Sequence, residues 1–317
     1  MNKDAIPLQV RRHKLVATVR KSINDRDVVV GVSGGVDSVA LLLLACAASL
    51  QESTNFKVVA THIHHGLRKE SDHEQEFVEE LCDSIGVKCV SKRITVEPLS
   101  GSIAAGARKM RYEVLTSVAQ KTKCKAVAVA HHAEDQLETM LMALCRGGGL
   151  RKLSGMASVR LLNEEIDLIR PLLHTTKREL VEICNHASAN WCEDSTNCDV
   201  STPRGRLRAD VLPVLRELWN AADKHAANAS SLLHAATDSF EAFVPSGSQW
   251  NRNQLAELPQ PVIDATLQRA IGEQATFETI QTITEAVIDK STEPRTFQCK
   301  DGCRATVTAH IVSVVHE

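Results

Sequence analysis

The run Val28-Val29-Val30-Gly31-Val32, followed by Ser33-Gly34-Gly35-Val36-Asp37-Ser38 and then a charge-free helix-like stretch to Ala48, constrains this chain more than any other segment. The β-branched run reads as a buried strand, and the apolar stretch after it as a buried helix. Two adjacent glycines between them let successive backbone N–H groups point into one concavity. That concavity lies at a helix N-terminus, where the partial positive charge favours an anion. The hydroxyls of Ser33 and Ser38 add donors for phosphate oxygens. Asp37 would repel a phosphate unless a cation sat between them, so its presence argues for Mg²⁺ bridging the two. The plainer reading is a Gly-Gly turn with Asp37 near a helix cap. The chain has no Gly-x4-Gly-Lys-Ser/Thr segment, so the familiar mononucleotide P-loop is excluded.

Strand-like and helix-like segments alternate after this point. Strands are expected over Val28–Val32, Val58–His62, Lys88–Ile94, Ala126–Ala130 and Ile166–Ile169, with helices over Val36–Ala48, Glu70–Ile85, Ile103–Lys121, Ala133–Arg146 and Lys177–Ala189. That order predicts an α/β fold with a doubly wound parallel sheet. Ligands of such sheets bind beyond the carboxyl ends of the strands. At 317 residues two domains are expected. Residues 1–217 form the first. An Ala-, His- and Ser-rich helical linker spans 218–248 and ends in Pro245-Ser246-Gly247-Ser248. Residues 249–317 make a small α+β domain, with helices near Pro261–Gly272 and Phe277–Asp289 and strands near Thr296–Lys300 and Thr306–Val315.

Composition narrows the partners. A net charge of −2 excludes a generally basic nucleic-acid binder, so any RNA contact must come from local patches. Aromatics at 3% disfavour recognition by many base-stacking platforms. Ten cysteines lie without a Cys-x-x-Cys pair, which reads as reduced, structural thiols. The N-terminal 27 residues are polar, with Arg11, Arg12, Lys14, Arg20 and Lys21 on a solvated face, and no apolar run reaches membrane-spanning length. A soluble, cytoplasmic protein with no membrane partner is expected.

Further motifs fall at strand ends. His62-Ile63-His64-His65-Gly66-Leu67-Arg68 follows the second strand. It lacks a matched metal-ligand set, so a loop touching nucleotide, with Arg68 for phosphate, is favoured over zinc. Arg108 and Arg111 share one helix face, either solvated or set against a phosphate backbone. After the fourth strand, His131 and His132 are the side chains that titrate near neutrality. Asp135 and Glu138 follow in one helical turn, where they either complement the helix dipole or hold an ammonium group. Arg146, three glycines, Arg151 and Lys152 suit a lid over an anionic substrate or a plain linker. Arg170-Pro171-Leu172-Leu173 ends the fifth strand. Arg204, Arg206 and Arg208 alternate, so an extended segment would line them along one side to track a phosphate backbone.

The turn after the first strand resembles the Ser-Gly-Gly-x-Asp-Ser loop of the N-type ATP pyrophosphatases (the PP-loop, adenine nucleotide alpha hydrolase-like fold). The motifs from about Val28 to Leu215, through Trp-x-Glu-Asp-Ser-Thr-Asn at 191–197, together resemble the tRNA(Ile)-lysidine synthase family. The resemblance implies an ATP- and Mg²⁺-dependent ligase. The C2 oxygen of the wobble cytidine of an isoleucine tRNA with anticodon CAU is adenylated, and L-lysine then displaces AMP to give lysidine. It implies that Ser33, Gly34, Gly35, Val36, Asp37, Ser38, His62 and Arg68 bind ATP and pyrophosphate, Asp37 also holding the metal. Asp37, Ser38, His131 and His132 would be catalytic, and Asp135 and Glu138 would bind lysine. Arg108, Arg111, Arg146, Arg151, Arg204, Arg206 and Arg208 would hold tRNA, residues 249–317 would be a tRNA-binding domain, and a homodimer is an admitted assembly.

One position departs from the family, which commonly has asparagine where this chain has Gly205. Two rivals share the nucleotide loop: a tRNA sulfur-transfer enzyme and a non-catalytic nucleotide- or RNA-binding protein. The absent Cys-x-x-Cys pair and the acid pair point away from the first. Intact Asp37 and Ser38 point away from the second.

Overall fold

The chain is a computed structural model described over residues 3–51, 56–64, 70–94, 103–193, 200, 202–272, 275–299 and 302–316. It divides into two units, Met1–Met142 with Gly155–Ser231, and Ala143–Ser154 with Leu232–Glu317. Helices α1 (Leu8–Arg11) and α2 (Lys14–Ile23) precede β1 (Val28–Gly31), α3 (Val36–Ser49), β2 (Val58–His64), α4 (Glu70–Ile85) and β3 (Lys88–Arg93). Next come α5 (Ile103–Thr122), β4 (Ala126–Ala128), α6 (Ala133–Cys145), α7 (Leu150–Leu153), β5 (Val159–Leu161), β6 (Asp167–Ile169) and α8 (Lys177–His186). Helix α9 (Pro203–Arg206), a π-helical turn (Leu207–Val211), α10 (Leu212–Leu218) and α11 (Ala222–Glu241) follow. The chain closes with β7 (Gln249–Asn251), α12 (Arg252–Ala256), α13 (Gln260–Ile271), α14 (Phe277–Ile288), β8 (Arg295–Gln298), β9 (Cys303–Val307) and β10 (Ile311–His316).

In the first unit six strands lie in the order β3-β2-β1-β4-β6-β5. Strand β1 is paired in parallel on both edges, Val28 opposite Val58 of β2 and opposite Ala126 of β4. Alternation along the strands sends neighbouring side chains to opposite faces. Val28, Val30, Val58, Ala60, Ala126 and Ala128 join one core with α2, α3 and α8. Val29, Val59, Val127 and Leu168 join the other with Leu115 and Val118 of α5. A sheet buried on both faces needs apolar strands throughout, which is why the valine run carries no polar position. Leu41 to Leu44 are each at most 2% exposed, and burying each contributes about 1.5–3 kcal/mol. From Val39 to Ala48, α3 is thus apolar all round.

The sheet is mostly parallel, as the alternation predicts, with one antiparallel edge: β5 pairs with β6, Leu161 opposite Asp167. This strand escapes sequence reading because Val159, Arg160 and Leu161 are all exposed and carry no alternation of buried and polar positions. Two further expectations change. The strand expected over 306–315 is a hairpin of β9 and β10, Val312 opposite Val307, because the turn at 308–310 interrupts it. The glycine loop after Arg146 contains the short helix α7.

The second unit carries a four-stranded antiparallel sheet in the order β7-β10-β9-β8. Arg252, 6% exposed, acts as its cap. Its guanidinium donates to the carbonyls of Ala286 (2.9 Å) and Val287 (3.1 Å) in the last turn of α14, and to those of Ser291 (2.6 Å) and Thr308 (3.1 Å). A cation at a helix C-terminus satisfies carbonyls that have no intrahelical partner and sits favourably in the helix field. No described helix is long and apolar enough to cross a membrane.

Helix α8 begins with a reciprocal cap: Thr176 accepts from the Glu179 N–H, and the Glu179 carboxylate accepts from the Thr176 N–H. Lys14 Nζ lies 2.8 Å and Lys224 Nζ 3.5 Å from that carboxylate. Burial opposes the charge on Glu179, but Lys14, the Thr176 groups and Lys224 outweigh it and hold its pKa down to about 2. A carboxylate held below its unfolded value contributes stability above that value and loses it as pH falls through the folded one. Wild-type stability is therefore expected to fall more steeply than that of Glu179→Gln between the ordinary value of 4.5 and about 2, as read by chemical denaturation at stepped pH. Parallel curves would remove Glu179 from the acid transition.

Candidate active site

The sheet order places a topological switch point between β1 and β4, the place where ligands of such folds collect. The loops that leave the carboxyl ends of β1, β2, β4 and β6 carry the polar groups. In the first, Gly34 has φ +96, a conformation that side-chain-bearing residues rarely adopt. A β-carbon there would also lie 3.4 Å from Cys192 Sγ. The Cys192 N–H donates to the Gly34 carbonyl (3.0 Å), fixing the loop from outside.

Ser38 fastens the loop from inside. Its Oγ accepts from the Ser33 N–H (3.1 Å) and donates to the Gly35 carbonyl (2.9 Å), while Ser33 Oγ accepts from the Gly35 N–H (3.4 Å). Gly35 caps α3 without a side chain, so no protein side chain satisfies the first-turn amides of Val36 and Asp37 from the cap.

Asp37 Oδ1, Thr61 Oγ1 and His62 Nε2 are buried without a hydrogen-bond partner among the described residues. His62 Nδ1 donates to the Val32 carbonyl (2.9 Å), so its bare Nε2 is an acceptor. Burial keeps that ring neutral by lowering its pKa. Buried polar groups are almost always paired, so the bare Asp37 oxygen at the head of α3 marks a place for a ligand. The bare Asp37 oxygen fits a hard cation. Among the described residues no group of three or more His, Cys, Asp or Glu could hold a metal alone, so a cation at Asp37 would take its remaining oxygens from a substrate or water.

Two adjacent histidines follow β4 and have different surroundings. His132 Nδ1 accepts from the Glu134 N–H (3.2 Å), and its Nε2 faces Asp37 Oδ2 (3.4 Å) and Asp135 Oδ2 (3.7 Å). Burial opposes charge on His132, but the hydrogen bond to Asp37 and the carboxylates of Asp135, Asp37 and Glu134 outweigh it and raise its pKa. His131 Nδ1 accepts instead from Arg170 Nε (3.1 Å). Burial lowers the pKa of His131, Asp135 opposes that in part, and Arg170, Arg108 and Arg204 add to the lowering.

Asp135 and Glu138 lie on one face of the first turns of α6, with side chains 11% and 1% exposed. The Asp135 carboxylate accepts from the His132 N–H (3.1 Å). Two arginines stand against the pair. Arg208 donates through Nε to Glu138 (2.5 Å) and through its terminal nitrogen to Asp135 (2.8 Å), and Arg204 Nε bonds the other Glu138 oxygen. The expectation that Arg204, Arg206 and Arg208 alternate along an extended segment is overturned. They lie in α9 and the π-helical turn, where residues four apart share a face. Arg206 points elsewhere, to Asp210 (3.3 Å). Thr202, capping α9, accepts from the Gly205 N–H (3.0 Å), and a proline at the first helical position makes the segment helical.

Other candidate residues take separate places. Arg108 is exposed and stacks over the Tyr112 ring at 5.3 Å, with Arg160 at 4.8 Å from the same ring. Arg111 and Arg146 are exposed. Arg151 pairs with Glu241 in the second unit. Arg68 and residues 194–199 lie outside the described residues. Sequence reading gave no site role to Arg170 or Cys192. Arg170 had a signal, its place at the end of the fifth expected strand, whereas Cys192 reaches Gly34 only through the tertiary fold.

Gly34→Ala is expected to cost about 1–2 kcal/mol, from the positive φ and the contact with Cys192, and to weaken nucleotide binding in parallel. A melting temperature and a nucleotide Kd both equal to wild type would remove the conformational argument.

A family model described as a PP-loop domain matches residues 8–215. A curated relative from Photorhabdus laumondii, named tRNA(Ile)-lysidine synthase, is 36% identical over 220 residues, covering 69% of this chain and 49% of its own. One of the same name from Neisseria gonorrhoeae is 34% identical over 231 residues, covering 73% and 50%. This chain thus spans about half the length of these relatives. Among solved structures, the U34-tRNA thiolase NcsA from Methanococcus maripaludis shares the fold, with a TM-score of 0.59 at 17% identity over 72% of this chain and 81% of that one. With the strand order, the double-glycine turn and the family match in agreement, this chain belongs to the PP-loop domain family.

Proposed function

We propose that this chain ligates L-lysine to C2 of the wobble cytidine of an isoleucine tRNA with anticodon CAU, using ATP and releasing AMP and pyrophosphate. The observation that carries the reading is the bare, buried Asp37 Oδ1 in the first turn of α3, beside the amides that follow the Gly34-Gly35 turn without a side-chain cap. The names of the curated relatives support the same substrates. In this reading the protein works in the cytoplasm, where tRNA, lysine and ATP occur together.

The residues divide the work. Ser33, Gly34, Gly35, Val36 and Ser38 hold the polyphosphate through backbone amides and hydroxyls at the helix terminus. Asp37 supplies carboxylate oxygen to Mg²⁺, which when bound neutralises phosphate charge. His62 and Arg68 complete the ATP set. Adenylation turns a poor leaving oxygen into a good one, and His131 and His132 stand beside the reacting atoms. Asp135 and Glu138 receive the ammonium of lysine.

Arg204 and Arg208 already occupy those two carboxylates. In this reading they compete with the substrate ammonium, and tRNA phosphates draw them off, since a guanidinium binds phosphate as well as carboxylate. Arg108, Arg111, Arg146, Arg151 and Arg206 add contacts to the RNA backbone, and residues 249–317 serve as a tRNA-binding module.

Asp37→Asn is expected to lower pyrophosphate release, measured with tRNA, lysine and Mg²⁺ present, by on the order of a hundredfold or more. Unchanged release would remove Asp37 from the reaction. Glu138→Gln is expected to raise the KM for lysine by roughly tenfold to a hundredfold, as for loss of a charged hydrogen bond, with little change in that for ATP. Equal rises for both substrates would count against the acid pair as the lysine site.

A further inference from the structure

Arg170 does something for His131 that none of the roles above requires. It follows β6, which pairs in parallel with β4, Ile169 opposite Ala128, so the two strands deliver Arg170 and His131 to the same end of the sheet. Its side chain is held in place. Arg170 is 4% exposed and donates from one terminal nitrogen to the Ala157 carbonyl at 2.6 Å. Its Nε–H is presented to His131 Nδ1 at 3.1 Å.

Arginine has donors and no acceptor, so this contact fixes the chemistry of the imidazole. Nδ1 must offer its lone pair, and the neutral ring then carries its proton on Nε2. A proton on Nδ1 would set an N–H against an N–H beside a permanent cation. The ring is left with no free lone pair and one free N–H. Among the described residues no group accepts a hydrogen bond from that Nε2. The charged groups acting on the ring are Asp135, Arg170, Arg108 and Arg204, three of them cationic.

We propose that Arg170 is a positioning residue that locks His131 in the Nε2–H tautomer, so that His131 donates a hydrogen bond to a substrate oxygen and takes no proton from the incoming amine. The second half rests on the ligase reading above. The oxygen in question is a non-bridging oxygen on the α-phosphorus, where negative charge gathers as the pyrimidine oxygen attacks and pyrophosphate leaves. A preset donor aimed at developing charge needs no reorganisation when the charge appears. The same environment that makes His131 a good donor makes it a poor base.

The tautomer is read directly from ¹⁵N-labelled histidine in the full chain, with the His131 resonances assigned by their loss in His131→Gln. A protonated Nε2 and a bare Nδ1 near neutral pH are expected in wild type. The single tautomer should give way to exchange in Arg170→Met and persist in Arg170→Lys, which keeps a donor at that place. A protonated Nδ1 in wild type would overturn the assignment, as would an Arg170→Met spectrum identical to wild type. This readout needs no substrate, so it is independent of whether the ligase reading holds.

The donor role is read in pyrophosphate release. His131→Gln, which retains a terminal N–H, is expected within about tenfold of wild type, and His131→Ala to lose on the order of a hundredfold. Equal losses in the two variants would overturn the donor role.

Discussion

Parallel pairing of β1 on both of its edges is the constraint on which the first unit depends. A strand bonded to β2 on one side and β4 on the other has its neighbours' carboxyl ends beside its own. Because the chain winds outward from β1 through β2 to β3 and then returns to β4, the loops after β1 and β4 diverge to opposite faces. A crevice at that place follows from topology alone. The Gly34-Gly35 turn, the two histidines and Arg170 all stand around it.

The second consequence is electrostatic. The first turns of α6 bury two carboxylates, and buried charge is costly unless paired. Two guanidinium groups from a single helical segment meet that demand. Removing them without a substitute would leave Glu138, 1% exposed, uncompensated. Any cation that replaced them would have to arrive as they left, because a bare state would strand the Glu138 charge.

The adjacent histidines show how little the residue type decides. His131 and His132 share a loop, yet carboxylates surround the His132 ring while guanidinium groups outnumber the one carboxylate acting on His131. Their pKa values move in opposite directions for that reason. Environments that drive like groups apart are how one site assigns distinct proton roles.

Much of this was written in the sequence. The apolar runs, the double glycine and the alternation of strand with helix determined a sheet buried on both faces, because burial on both faces leaves no polar position in a strand. The anion-binding turn was equally legible, being local: Ser33 to Ser38 bond mainly to one another. Sequence could not reveal the edge strand β5, which buries none of its residues and so leaves no pattern. Nor could it show that Arg204 and Arg208 lie on a helix against Glu138, that Cys192 fastens Gly34, or that Arg170 donates to His131. Those contacts join positions 39 to 158 residues apart. Local propensity fixes which elements form. Which distant side chains meet at their ends is decided only once the strands are laid side by side.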